Sequence, residues 1–185
     1  MMDRIAFVTS NEHKLKEAKA ILPNIFMLEL KLSEIQSLDP KEVLAWKVSQ
    51  IENIIDLPFI IEDTSLFLEC FNYKAPGPLV KFFLEAFSLA ELYHWASLKN
   101  KFKAKAITLV AFKKKGSRIK LFKGETKGFL VKPTCRSSFG WDPIFMPVGC
   151  SKTFAEMSKE EKNSVSMRGR ALNKLRLFLR KYEQL

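Results

Sequence analysis

The chain has 185 residues, of which 47% are apolar and 28% charged, and its net charge is +11. That composition describes a globular chain long enough for a hydrophobic core, and it excludes intrinsic disorder. No apolar run approaches the ~18 residues needed to cross a bilayer, since the longest, over 57–61, stops at Glu62.

The first apolar run, Ile5 to Val8, predicts a buried strand. Thr9, Ser10 and Asn11 follow, all good capping residues, and Thr9 with Glu12 predicts a capping box. Leu15, Ala18 and Leu22 recur at helical spacing until Pro23 ends the helix. Residues 26–32 read as a second strand. Asp39 before Pro40 starts a second helix, with Leu44, Val48, Ile51 and Ile55 on its apolar face. Residues 59–62 predict a third strand ending at Glu62 and Asp63. A Pro-Gly-Pro turn over 76–78 leads to a short helix over 80–86, and Ser88 with Glu91 caps another. Residues 106–112 and 118–122 predict a hairpin around Gly116, and 128–131 a further strand. The stretch 137–147 is irregular and aromatic. Ser158 with Glu161 caps another helical turn, and the last helix carries Leu172, Leu175, Leu179 and Tyr182 on one face. No repeat, low-complexity stretch or linker divides the chain, so one domain over 1–185 is expected. Its class is α/β (α+β mixed), with helices around a mixed sheet.

Three cysteines, none close to another in sequence, predict a reducing compartment without a disulfide framework, and the N-terminus has no signal-peptide pattern. With only two histidines, a divalent ion would have to be held by carboxylates, which favours a hard cation such as magnesium. The positive charge suits a polyanion. The basic residues of the last helix are spread around it, however, so no specific nucleic acid is expected, and no membrane.

Chemistry concentrates in four places. Thr9-Ser10-Asn11-Glu12-His13-Lys14 leads from a strand into a helix, where free backbone N–H groups and the helix dipole favour phosphate and Lys14 adds a cation. It lacks the glycines of a P-loop. Glu62 and Asp63 sit at a strand end, the usual place for a ligand in an α/β fold. Adjacent strand residues point to opposite faces, so one of the two is expected to face the site, with Glu34 available as a second carboxylate for magnesium. In the loop Phe139-Gly140-Trp141-Asp142-Pro143, Phe139 or Trp141 offers a face for a base and Asp142 an acceptor. Lys162 and Arg168 flank the start of the final helix, with Lys47 and Lys81 as further cations.

Together these motifs resemble the inosine triphosphate pyrophosphatase family along nearly the whole chain. Thr9-Ser10-Asn11-x-x-Lys14 is similar to its opening phosphate motif, and Ile61-Glu62-Asp63-Thr64-Ser65-Leu66 to its acidic strand end. Pro76-Gly77-Pro78-x-x-Lys81, Phe139-Gly140-Trp141-Asp142-Pro143, Thr153-Phe154-Ala155-Glu156-Met157 and Glu161-Lys162-Asn163-x-x-Ser166-x-Arg168 follow in the same order. The resemblance implies a long, curved mixed sheet in two lobes around a cleft. It implies magnesium-dependent attack of water on the α-phosphorus of ITP, dITP or XTP, in a cytoplasmic homodimer. By position it places magnesium on Glu34 and Asp63, with Asp63 also the proton acceptor and Glu62 in support. Thr64 would touch the substrate, Thr9 to Lys14 with Lys47 and Lys81 would surround the triphosphate, and Phe139 to Asp142, Lys162, Met167 and Arg168 would bind the sugar and base.

The sequence departs from that family at two points. Met167 stands where the family usually has a histidine that contacts the base, and a thioether is no comparable donor. Ser10 replaces the commoner glycine. The competing readings are a catalytically idle nucleotide- or RNA-binding module of the same fold, and a pyrophosphatase for modified pyrimidines.

Overall fold

The computed structural model describes residues 4–133 and 139–182, without the side chain of Tyr182. Positions 137 and 138 of the aromatic stretch, and Tyr182 as part of the last helix's apolar face, lie outside what is described.

Among the described residues seven strands form one mixed sheet: β1 (Ile5–Val8), β2 (Ile25–Leu28), β3 (Phe59–Leu68), β4 (Pro76–Gly77), β5 (Lys103–Lys113), β6 (Lys120–Leu130) and β7 (Phe145–Pro147). The order is β2-β1-β3-β5-β6-β7, with β4 pairing the far end of β3. β1 runs parallel to β2 and β3, and the other pairings are antiparallel. The α-helices of the described residues are α1 (Glu12–Lys19), α2 (Pro40–Ser49), α3 (Val80–Ala86), α4 (Leu89–Leu98), α5 (Lys159–Val165) and α6 (Met167–Tyr182). The expected mixed α/β class is what the chain adopts.

Four expectations are corrected. β3 does not stop at Glu62; it continues to Leu68, so the acidic pair lies in mid-strand. The strands expected over 118–122 and 128–131 are one strand, β6. Asn11, not Thr9, caps α1: its side chain accepts from the Lys14 amide, while Thr9 Oγ1 accepts from the Asn11 amide. β2 is also shorter than expected, and residues 29–36 have no regular structure. The caps at Asp39, Ser88 and Ser158 form as expected, the last two as full capping boxes.

Strand alternation in β3 sorts the interior. Ile60 joins an apolar core with α1 and α6, through Ala18, Leu22, Leu172 and Leu175. Leu66 and Leu68, on the same face, join a second core with Leu92, Trp141, Phe145 and Phe154. Glu62 and Thr64 fall between these two cores, so the lobes meet at a polar seam. On the opposite face Phe59, Ile61 and Phe67 pack with Leu44, Val48 and Ile51 of and just beyond α2, again leaving Asp63 and Ser65 between apolar neighbours.

Candidate active site

A cleft opens where the edge of β3 is bare. β1 ends at Val8, opposite Ile61, and β4 starts opposite Phe67 and ends opposite Leu66. Residues 62–65 therefore have no strand on that side, and a cleft of about 860 Å³ lies over them. Glu62 and Asp63 do point to opposite faces of the sheet, but at a bare edge both reach the cleft. The expectation that only one carboxylate would face the site is corrected for that reason.

Most of the candidate residues line this cleft: Thr9, Ser10, Asn11 and Lys14 after β1; Glu34 on the irregular segment; Lys47 on α2; Asp63 and Thr64 on β3; Lys81 on α3; and Phe139, Gly140, Trp141, Asp142, Lys162, Met167 and Arg168 from the opposite wall. Two fall outside. Glu12 is exposed and pairs with Lys16 at 3.3 Å. His13 lines a smaller neighbouring cavity and stacks on Phe139 with ring centroids 5.2 Å apart. Trp141 is buried between Phe145 and Phe154, so its ring is part of the core and Phe139 alone offers a face for stacking.

On the α2 side, Lys47 places its ammonium 2.7 Å from Asp63 Oδ1 and 3.0 Å from Glu34 Oε1. Burial raises Asp63 above its ordinary value even though Lys47 opposes the shift. Glu34 is resisted by its own partial burial, but Lys47 brings it below its ordinary value. Asp63 Oδ2 is buried without a hydrogen-bond partner. A buried acceptor left bare calls for a proton donor, a water or an ion.

On the α6 side lies a buried ionic network. Arg168 donates through Nε and Nη2 to Glu62 at 2.9–3.0 Å, and through Nη1 to Glu17. Lys162 reaches Glu17 at 2.6 Å and Asp142 at 2.5 Å, and Lys14 lies 3.2 Å from Glu62. Burial works against the charge on Glu62, but Arg168 and Lys14 overcome it and hold the group at about 2. Asp142 goes the other way, because burial outweighs Lys162 and raises it. Three acids thus meet three bases, as buried charges must if they are to stay charged.

Glu17 is the residue the sequence reading missed. The signal was there: Lys14, Glu17 and Ile21 recur at helical spacing, which turns an acid inward beside Ala18. α1 buries Glu17 because Lys162 and Arg168 wait for it.

Several cations facing paired carboxylates over a bare strand edge make this an α/β protein with a site suited to a polyphosphate. The chain belongs to the Ham1 family, whose model matches residues 5–178. It is 38% identical to an inosine triphosphate pyrophosphatase of Scheffersomyces stipitis, over 96% of this chain and 98% of that protein. It is 39% identical to one of Schizosaccharomyces pombe, over 97% and 96%. The fold is similar to that of the Staphylococcus aureus Ham1 protein, with a TM-score of 0.78 at 22% identity over 96% and 98% of the two chains. A dITP/XTP pyrophosphatase of Mycobacterium abscessus superposes with a TM-score of 0.70 at 25% identity, over 92% and 97%.

Proposed function

We propose that this protein hydrolyses ITP, dITP and XTP to the nucleoside monophosphate and pyrophosphate, removing these aberrant purines from the nucleotide pool. The observation that carries the proposal is Asp63: a buried carboxylate of raised basicity, one oxygen anchored by Lys47 and the other unpartnered, at the floor of a cleft rich in lysine. The full-length likeness to inosine triphosphate pyrophosphatases supports the choice of substrate.

Lys14, Lys47 and Lys81 would lie along the triphosphate and offset its charge, together with the polar turn Thr9 to Asn11 that opens α1. Phosphoryl transfer asks chiefly for such positioning and neutralisation. Asp63 Oδ2 would take the proton of the water that attacks the α-phosphorus, and Lys47 on Oδ1 keeps the carboxylate oriented for it. Glu34 and Asp63 would hold a magnesium ion, since a cation, the Lys47 ammonium, already sits between them; when bound, the ion would supply further charge neutralisation at the phosphates. The base would lie against Phe139. Arg168 keeps at most two N–H groups beyond those committed to Glu62 and Glu17.

The same reading makes the protein a cytoplasmic homodimer with no specific nucleic-acid partner. Among the described residues no helix is long and apolar enough to cross a membrane. The idle binding module is disfavoured by the full-length likeness to proteins named inosine triphosphate pyrophosphatase.

The test is a panel of nucleoside triphosphates with magnesium, scored for phosphate products. Pyrophosphate from ITP and XTP is expected, with activity lost in excess chelator. Orthophosphate alone, or undiminished activity in chelator, would sink the mechanism.

A further inference from the structure

The segment 29–36 between β2 and α2 has no regular secondary structure, yet it carries Glu34, which is half exposed. A carboxylate on such a stretch would lose much conformational freedom on meeting a second ligand, and the metal would bear that cost. The structure shows what removes it. Gln50 Oε1 accepts from the Ser33 amide and from Ser33 Oγ, both at 2.9 Å. Gln50 Nε2 donates to the Ser33 carbonyl at 2.9 Å. Trp46 Nε1 donates to Ser33 Oγ at 3.1 Å. Every polar atom of Ser33 is thus held by two side chains from a single turn of α2 and its cap, four residues apart and so on one face.

We propose that Gln50, aided by Trp46, is a positioning residue for Glu34, acting through Ser33. This rests on the reading of Glu34 and Asp63 as the metal pair. Fixing both the N–H and the C=O of Ser33 fixes the peptide from which Glu34 departs. Lys47, on the same turn, then meets Glu34 and Asp63 together. One helical turn therefore sets both the carboxylate's origin and the cation beside it. Val43, Leu44, Val48 and Ile51 seat this region in the core, so loss of the Gln50 carboxamide leaves the packing intact. Groups behind metal ligands typically alter affinity by about 10–100-fold.

The experiment measures Mn²⁺ binding by electron paramagnetic resonance on the whole protein without nucleotide. The proteins are wild type, Gln50→Ala, Ser33→Ala and Glu34→Gln, with thermal melts alongside. Gln50→Ala should weaken Mn²⁺ binding about tenfold and melt near wild type, while KM for ITP at saturating magnesium stays unchanged. Ser33→Ala keeps the backbone clamp and loses only the hydroxyl, so it should weaken binding by about threefold. If Gln50→Ala does not fold, Ser33→Ala decides alone. Wild-type Mn²⁺ affinity in these variants, with affinity lost in Glu34→Gln, overturns the positioning role. Wild-type affinity in Glu34→Gln overturns the metal pair itself, and the proposal with it.

Discussion

Two demands meet on Asp63. It must stay charged enough to accept a proton, and basic enough for the transfer to help. Burial raises it and Lys47 limits the rise, a balance that a single oxygen–ammonium contact at 2.7 Å can provide. Asp63→Asn keeps the side-chain volume and removes the charge. Turnover should fall by at least ~10²-fold with the melt and circular dichroism of a folded protein; near-normal turnover would move the base elsewhere. Met167 is the other residue with a sharp consequence. It is buried, belongs to the same apolar core as Trp141, and lines the cleft with Arg168. A donor at this position would attract the carbonyl oxygen on the six-membered ring of hypoxanthine and disfavour the amino group that adenine carries there. Met167→His should therefore widen the ITP-to-ATP ratio of kcat/KM by about threefold to tenfold. An unchanged ratio would mean that position 167 does not read the base.

Among the elements, β3 and β6 show what the sequence could and could not reveal. The apolar start of β3 was legible, but Glu62, Asp63, Thr64 and Ser65 in a row look like a turn. They remain strand because β5 pairs with them on one edge, and they are polar because the other edge is bare. The strands expected over 118–122 and 128–131 leave out the polar middle of β6, which holds Gly124 and borders Gly128, and glycine normally weakens a strand. Both are places of close approach: a Cβ on Gly124 would sit 1.8 Å from the Met167 carbonyl oxygen, and one on Gly128 would sit 2.5 Å from that of Met146. Helix caps, by contrast, are local chemistry, and Asp39, Ser88 and Ser158 were readable as such. The cations and acids of the site were legible as types, but their partners were not, since Glu17 and Arg168 lie 151 residues apart. Gly124→Ala should push the start of α6 off the sheet and take Arg168 with it. A loss of roughly 3 kcal/mol or more in urea unfolding is expected, because backbone on both sides prevents relaxation. Wild-type stability would mean that α6 is not seated on β6 at this point.

At the scale of the whole molecule, the two lobes meet across the polar seam of the sheet, and buried charge bridges that seam. α1, β3, α5 and α6 each contribute to the network through Glu17, Glu62, Lys162 and Arg168. Such pairing makes folding depend on pH. Glu62 is held at about 2 in the folded chain, and Glu17 is also lowered by Arg168 and Lys162 once the opposing effect of burial is overcome. In the unfolded chain both return to about 4.3. A lowered carboxylate contributes its full stability above the unfolded value and loses it as pH falls toward the folded one. Asp63 and Asp142, raised by burial, act with the opposite sign: they cost stability at neutral pH and return some of it on protonation. They therefore soften the upper part of the acid transition without reversing it, and the net charge of +11 adds repulsion as carboxylates are neutralised. Stability should fall steeply between roughly pH 4.5 and 2. In Glu62→Gln that slope should flatten, because the group whose charge acid removes is already gone. The same variant should melt lower at pH 7, where Arg168 is left with Glu17 as its remaining carboxylate partner. Melting temperature against pH for the two proteins checks both halves: parallel curves would show that Glu62 is not charged in the folded state, and equal melting at pH 7 that the network does not hold the lobes together.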